Sequence, residues 1–168
     1  LLEWGANDVT ELDWWQSIKI KGATFQPTPV QHWSKRSAFD RNKTLWAGWM
    51  TQWNNFSFYF AGDTGYSNDF REVSNRLGNP DLAAIPIGAY EPREFMKSAH
   101  INPEEAVMVF NDLGAKRAIA IHWGTFKLTL EKMDEPPRRL NRALESAGIS
   151  KKRFRVLQHG EFWPEPLS

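Results

Sequence analysis

Phe56-Ser57-Phe58-Tyr59-Phe60-Ala61-Gly62-Asp63-Thr64-Gly65-Tyr66 is the stretch on which the reading of the whole chain turns. Aromatic residues at 56, 58, 59 and 60 predict a strand packed on both faces. The strand stops at Ala61-Gly62-Asp63-Thr64-Gly65, where two glycines let the backbone turn and keep bulk away from the carboxylate. Asp63 then lies at the C-terminal end of a buried strand, where α/β proteins place ligands. Aspartate also caps turns and helices, so the stretch alone leaves Asp63 between a structural and a chemical role.

Working outward, three segments repeat the strand-then-polar-residue pattern. Ile18-Lys19-Ile20-Lys21-Gly22-Ala23-Thr24-Phe25 alternates as a strand does and runs into Gln26-Pro27-Thr28-Pro29, too proline-rich to continue a central strand. His32 follows on a loop. Leu82-Ala83-Ala84-Ile85-Pro86-Ile87-Gly88 is wholly apolar, as a buried parallel strand is. Lys116 to His122 is another such strand and ends on His122. Shorter strands are expected over Val9–Trp15, Lys43–Met50 and Phe154–Leu157. Helices are expected over Ser67–Leu77, from Asn102-Pro103-Glu104-Glu105 to Gly114, and from Glu135-Pro136-Pro137 to about Ala147. Ala89 to His100 reads as a long irregular connection. Leu1-Leu2-Glu3-Trp4-Gly5 looks like the last turn of a helix, so the chain is expected to begin in mid-domain.

At 168 residues there is room for one domain with a substantial core. Lys and Arg number 21 against 20 Asp and Glu, and this near-neutral balance carries no nucleic-acid or anionic-membrane footprint. With no cysteine, disulfides and thiolate zinc sites are excluded, so any metal must be held by histidines and carboxylates. No apolar run reaches the roughly 18 residues of a membrane-spanning helix, and no signal peptide is visible. Nine tryptophans point to large packed surfaces or to a lipid-facing rim, and most are expected in the core and strands.

His32, Asp63 and His122 each fall at or just past the C-terminal end of an expected strand, and such ends converge on one sheet edge. Two imidazoles and a carboxylate suit zinc or iron, and one carboxylate can bridge two metals. Each residue also has a plainer reading, since a histidine before a tryptophan is often a hydrogen-bonded packing residue. His100 is placed to hydrogen-bond an anionic substrate, and Arg93 to pair with phosphate. Arg93 and Lys97 also read as solvated loop residues, and His159 before Gly160 as a turn residue.

Pro29-Val30-Gln31-His32-Trp33-Ser34-Lys35-Arg36, Phe60 to Tyr66, Ile85-Pro86-Ile87-Gly88-Ala89-Tyr90-Glu91-Pro92-Arg93-Glu94-Phe95-Met96 and Ala120-Ile121-His122-Trp123-Gly124-Thr125-Phe126 form a set. Together they resemble the C-terminal part of the N-acylphosphatidylethanolamine-hydrolysing phospholipase D family, of the metallo-β-lactamase superfamily. The likeness runs from Asp13 to Glu161 in order. It implies an α/β fold of the αββα sandwich type, with residues 1–161 its C-terminal portion and 162–168 a loose tail. It implies a two-zinc site in which His32 holds one zinc, Asp63 bridges, and His122 holds the other, Asp63 and His122 being the catalytic pair. His100, Tyr90 and Arg93 become substrate-contacting candidates. The implied reaction is zinc-assisted phosphodiester hydrolysis releasing an N-acylethanolamine and phosphatidic acid, with peripheral membrane contact through apolar loop residues and a cytoplasmic or membrane-peripheral setting.

This chain departs from the family in lacking the His-x-His-x-Asp-His motif, which supplies two ligands to each zinc. Three residues do not hold two metals well. One sheet face is therefore expected to be bare and apolar, prone to aggregate or to pair with the missing N-terminal half or a second copy. Two other readings stand beside this one: a metal-poor binding or assembly module, and a hydrolase of the same fold with another substrate. Asp-Thr-Gly also marks aspartic proteases. Those need two such aspartates, whereas this chain has one and an α/β order of elements.

Overall fold

The computed structural model describes residues 2–163. Seven strands form one sheet in sequence order: β1 (Ile18–Ile20), β2 (Ala23–Thr28), β3 (Gly48–Trp53), β4 (Phe56–Phe60), β5 (Leu82–Pro86), β6 (Arg117–Ile121) and β7 (Phe154–Arg155). The first four run antiparallel; β4 to β7 run parallel. The parallel pairs are joined by α1 (Asp69–Leu77), by α2 (Arg93–Met96) with α3 (Pro103–Asp112), and by α4 (Glu135–Ser146). This is the expected α/β class. The expected sandwich is represented by one sheet with one helical layer.

Local sequence explains most of these elements. In α3 the Asn102 side chain accepts from the Glu105 amide, while Glu105 reaches back to the Asn102 amide, with Pro103 at the first helical position. The chain turns between β1 and β2 at Lys21 and Gly22, both at positive φ, so the single strand expected over 18–25 is instead a tight hairpin. β2 continues through Pro27, against expectation. The Pro27 carbonyl accepts from the Trp15 amide, so the proline's nitrogen shares that outer side, where β1 has already ended and no donor is missed. Val9–Trp15 forms no strand. Asp13 accepts from the Trp14 amide while its own amide donates to Gln16, and these side-chain bonds bend the segment. The third strand starts later than expected, at Gly48, and runs on to Trp53.

The core lies between the sheet and the helices. Met50, Tyr59, Ala83, Ile85, Ala118 and Phe154 line one face of the sheet and pack against Phe70, Val73, Val109, Phe110, Leu140 and Leu144 of the helices. The other face carries the cross-strand pairs Trp49–Phe60 and Trp53–Phe56. There Phe60 is 41% exposed, and Trp49 and Trp53 are exposed too. The central strand is thus covered on one face rather than two. None of the nine tryptophans belongs to the buried core: Trp14, Trp15, Trp46, Trp123 and Trp163 are half-buried, and Trp4, Trp33, Trp49 and Trp53 are exposed. Of the segment expected as a loose tail only Phe162, which is exposed, and Trp163, on whose ring the Arg117 and Arg155 guanidinium groups lie, are described; residues 164–168 lie outside the described residues.

The two faces predict opposite mutational costs at residues ten positions apart. Phe70→Ala removes a fully buried ring and is expected to cost about 3–5 kcal/mol in urea unfolding. Phe60→Ala is expected to cost less than about 1 kcal/mol. Equal costs would mean that both faces are covered in solution.

Candidate functional site

Backbone contacts between loops assemble the site. Gln31 and Gly65 form an isolated antiparallel bridge, with the Gly65 amide donating to the Gln31 carbonyl at 2.8 Å. The Thr64 hydroxyl, fully buried, accepts from the Gln31 amide at 3.0 Å and donates to the Gly65 carbonyl at 2.7 Å. Together these bonds lock the His32 loop against the Asp63 turn. Gly65 also lets the chain before His100 approach, for a Cβ there would sit 2.6 Å from the Ser98 carbonyl oxygen. Gly88 abuts the His122 backbone so closely that a Cβ would lie 2.1 Å from its carbonyl oxygen. His122 itself takes a left-handed φ of 58°, which turns its side chain off the end of β6.

Asp63 occupies the middle of the resulting cluster. Its Oδ1 lies 3.2 Å from His122 Nε2, and its Oδ2 lies 3.9 Å from His32 Nε2. His100 completes the group, its ring centroid 5.1 Å from that of His32 and 5.7 Å from that of His122. His32 Nδ1 lies 3.0 Å from the Trp33 carbonyl, which only accepts, so the proton sits on Nδ1. The lone pair is then on Nε2, which is buried and has no hydrogen-bond partner. A histidine whose far nitrogen is anchored to a carbonyl while the near one is unpartnered has the arrangement of a metal ligand. Ligand atoms of His32, Asp63 and His100 all lie within 4.8 Å of one another. Borderline-hard nitrogens around a carboxylate fit zinc or iron.

The electrostatics follow from the packing. Burial pushes the Asp63 carboxyl up, but the hydrogen bond from His122 and the charges of the three imidazoles outweigh it and hold the carboxyl below its usual range. The same hydrogen bond to Asp63 raises His122 against the opposing effect of burial. Burial dominates at His100 and lowers it to about 4.

Two other sequence candidates have different partners. Tyr90 is fully buried, donates its hydroxyl to Glu135 at 2.8 Å and lies under the Arg139 guanidinium. Arg93 pairs with Glu105 and donates to the His100 carbonyl at 2.6 Å, which ties the loop after β5 to α3. His159 bonds Thr125 at 3.1 Å, outside the cluster. Beside His122 lies a cavity of about 270 Å³, walled by Trp123, Phe126, Leu128 and Met133 and floored by Gly88 and Ala89. Sequence reasoning missed two residues here: Thr64, whose hydroxyl joins the loops, and Glu131, whose carboxylate accepts from the backbone of residues 89–91. The Asp-Thr-Gly triplet marked Thr64; nothing local marked Glu131.

A mixed sheet with a carboxylate set among imidazoles at its C-terminal edge defines an α/β protein equipped to hold metal. The chain belongs to the metallo-β-lactamase superfamily: residues 2–123 match the family described as Beta-lactamase superfamily domain. It is 43% identical over 166 residues to N-acyl-phosphatidylethanolamine-hydrolyzing phospholipase D 1 of Caenorhabditis elegans, covering 95% of this chain and 47% of that protein. It is 38% identical over 152 residues to the mitochondrial N-acyl-phosphatidylethanolamine-hydrolyzing phospholipase D of Saccharomyces cerevisiae, covering 86% of this chain and 32% of that one. The chain thus spans less than half the length of these two relatives. Among solved structures, Igni18, a metallo hydrolase from Ignicoccus hospitalis, aligns with a TM-score of 0.70 at 22% identity, over 95% of this chain and 62% of that one. That structure and this chain share the fold.

The histidine environments predict distinct titrations in the metal-free chain. The His100 ring resonance is expected to titrate near 4 by NMR, and that of His122 above the ordinary histidine value. The signs for stability are opposite. The unfolded chain protonates His100 first, so its effect is to favour unfolding as pH falls from the ordinary value toward 4. The His122 contribution is complete below the ordinary value and is lost as pH rises through its higher folded value. Coincident midpoints for the two rings would contradict this geometry.

Proposed function

We propose that this chain carries the C-terminal share of a two-zinc phosphodiesterase site of the N-acylphosphatidylethanolamine phospholipase D type. The observation that carries the reading is that the two oxygens of Asp63 face different histidines, Oδ1 toward His122 and Oδ2 toward His32. A carboxylate so placed is suited to bridge two metal ions, one on each side. The orphaned His32 Nε2 and the absence of cysteine fit the same donor set. The likeness to the two phospholipases supports an N-acylphosphatidylethanolamine substrate, whose hydrolysis on this reading releases an N-acylethanolamine and phosphatidic acid.

His32, Asp63 and His122 would hold the metal ions, which when bound supply Lewis-acid polarisation of a phosphoryl oxygen and a water of lowered pKa. The protein's own residues do the rest. Asp63 is held ionised. His100, kept neutral at pH 7 by burial, offers a hydrogen bond to the head group. The apolar wall of Trp123, Phe126 and Met133 receives the hydrocarbon part of the substrate and keeps water from it. Residues 1–161 act as one portion of the complete domain, and the remaining donors of two coordination shells come from a further segment or a partner chain. Elemental analysis after desalting tests this: zinc is expected in the chain and absent from Asp63→Ala, with hydrolysis of N-acylphosphatidylethanolamine vesicles seen only in preparations holding both metals. Zinc that Asp63→Ala retains as fully as the wild type would sink the reading.

A substrate in a bilayer calls for contact with its surface. Phe126, Leu128 and Leu130 project 75%, 66% and 74% exposed from the loop beside the cavity, alternating with Lys127 and Thr129 and followed by Lys132. Apolar tips flanked by cations suit an anionic phospholipid surface. Changing all three to serine is expected to abolish cosedimentation with phosphatidylglycerol vesicles and to leave zinc content unchanged.

A further inference from the structure

The loop that starts at His122 is tied down at its far end by a carboxylate. Glu131 Oε1 accepts from the amides of Ala89 at 2.7 Å and Tyr90 at 3.4 Å, and Oε2 from the Glu91 amide at 3.1 Å and the Thr129 hydroxyl at 2.6 Å. Burial opposes its charge, but the Thr129 hydroxyl and the amides prevail and hold the carboxyl below its usual range. Three successive amides converging on one anion form a backbone nest, and Ala89, at a φ of 62°, opens it. The nest follows directly on Gly88, whose backbone touches the His122 carbonyl. Segments 88–91 and 122–131 therefore meet at both ends, and the cavity of about 270 Å³ lies beside the ring they close. At the near end His122 sits at a left-handed φ that its surroundings must enforce.

We infer that Glu131 is a positioning residue: seated in the nest of Ala89, Tyr90 and Glu91, it fixes the loop that begins at His122, and through it the direction of the His122 imidazole toward Asp63 and the shape of the cavity. The inference rests on the metal-site reading only where metal affinity is the measurement. Truncating Glu131 leaves three amide donors facing a vacated pocket, which a small free carboxylate has the shape and charge to refill.

The experiment removes the carboxylate and then supplies another. Glu131→Ala is followed at neutral pH by the His122 ring resonances of the chelator-treated chain and by calorimetric zinc titration, with acetate or with neutral acetamide at matched ionic strength. The His122 resonances are expected to move and zinc affinity to fall about tenfold. Acetate, but not acetamide, is expected to restore most of both. Resonances that stay in place, or a folded variant that acetate does not recover, would overturn the inference. Should Glu131→Ala fail to fold, Glu131→Gln keeps the side chain's size and one acceptor oxygen, and the same resonances must still move, by less. A wild-type chain that takes up no zinc overturns the metal reading and leaves the ring resonances to decide Glu131.

Discussion

Parallel strands joined through helices cross over in one hand, because a right-twisted strand feeding a helix packs back onto the sheet only that way. From β4 to β7 the sheet grows in one direction without reversal, so that single constraint places every crossover helix on the same face. The placement of the core follows, and so does the bareness of the opposite face with its Trp49–Phe60 pair. The location of the chemistry follows as well, since β4 and β6 are parallel and deliver Asp63 and His122 to a common edge.

Strand ends bring side chains within a few residues of one another; backbone contacts set them to a fraction of an ångström. The Gln31–Gly65 bridge and the Thr64 hydroxyl hold one side of the cluster, and the Gly88–His122 approach holds the other. Neither Gly65, against the Ser98 carbonyl, nor Gly88, against that of His122, has room for a side chain. Arg93 and Tyr90 contribute from behind, joining the connection after β5 to α3 and α4 through Glu105, Glu135 and Arg139. They brace the site without lining it.

What the sequence disclosed was local or periodic. The aromatic strand before the Asp63 turn and the capping signals around Asn102 and Glu105 depend on neighbours within a few positions, and both elements form where they were expected, although the strand is covered on one face and not on two. The positions of His32, Asp63 and His122 at strand ends were legible for the same reason. The hairpin inside residues 18–25 was hidden because alternation continues through Lys21-Gly22, and the turn shows only in backbone conformation. Val9–Trp15 ends on two tryptophans, residues that favour sheets, but the Asp13 bonds that bend it leave no trace in a periodicity. Glu131 reaches a partner about forty positions away, and no local pattern records such a contact. The tryptophans are less buried than their size suggests, because the one-sided sheet leaves Trp49 and Trp53 on its open face while Trp4 and Trp33 lie exposed outside the strands.

That open face makes folding and association one equilibrium. Each square ångström of apolar surface covered there removes about 25 cal/mol from the free energy of the folded state alone, since the unfolded chain offers no such sheet to cover. The melting temperature of this polypeptide is therefore a function of concentration and company, rising with whatever occupies the sheet. A thermal midpoint measured for the dilute chain marks the floor of its stability.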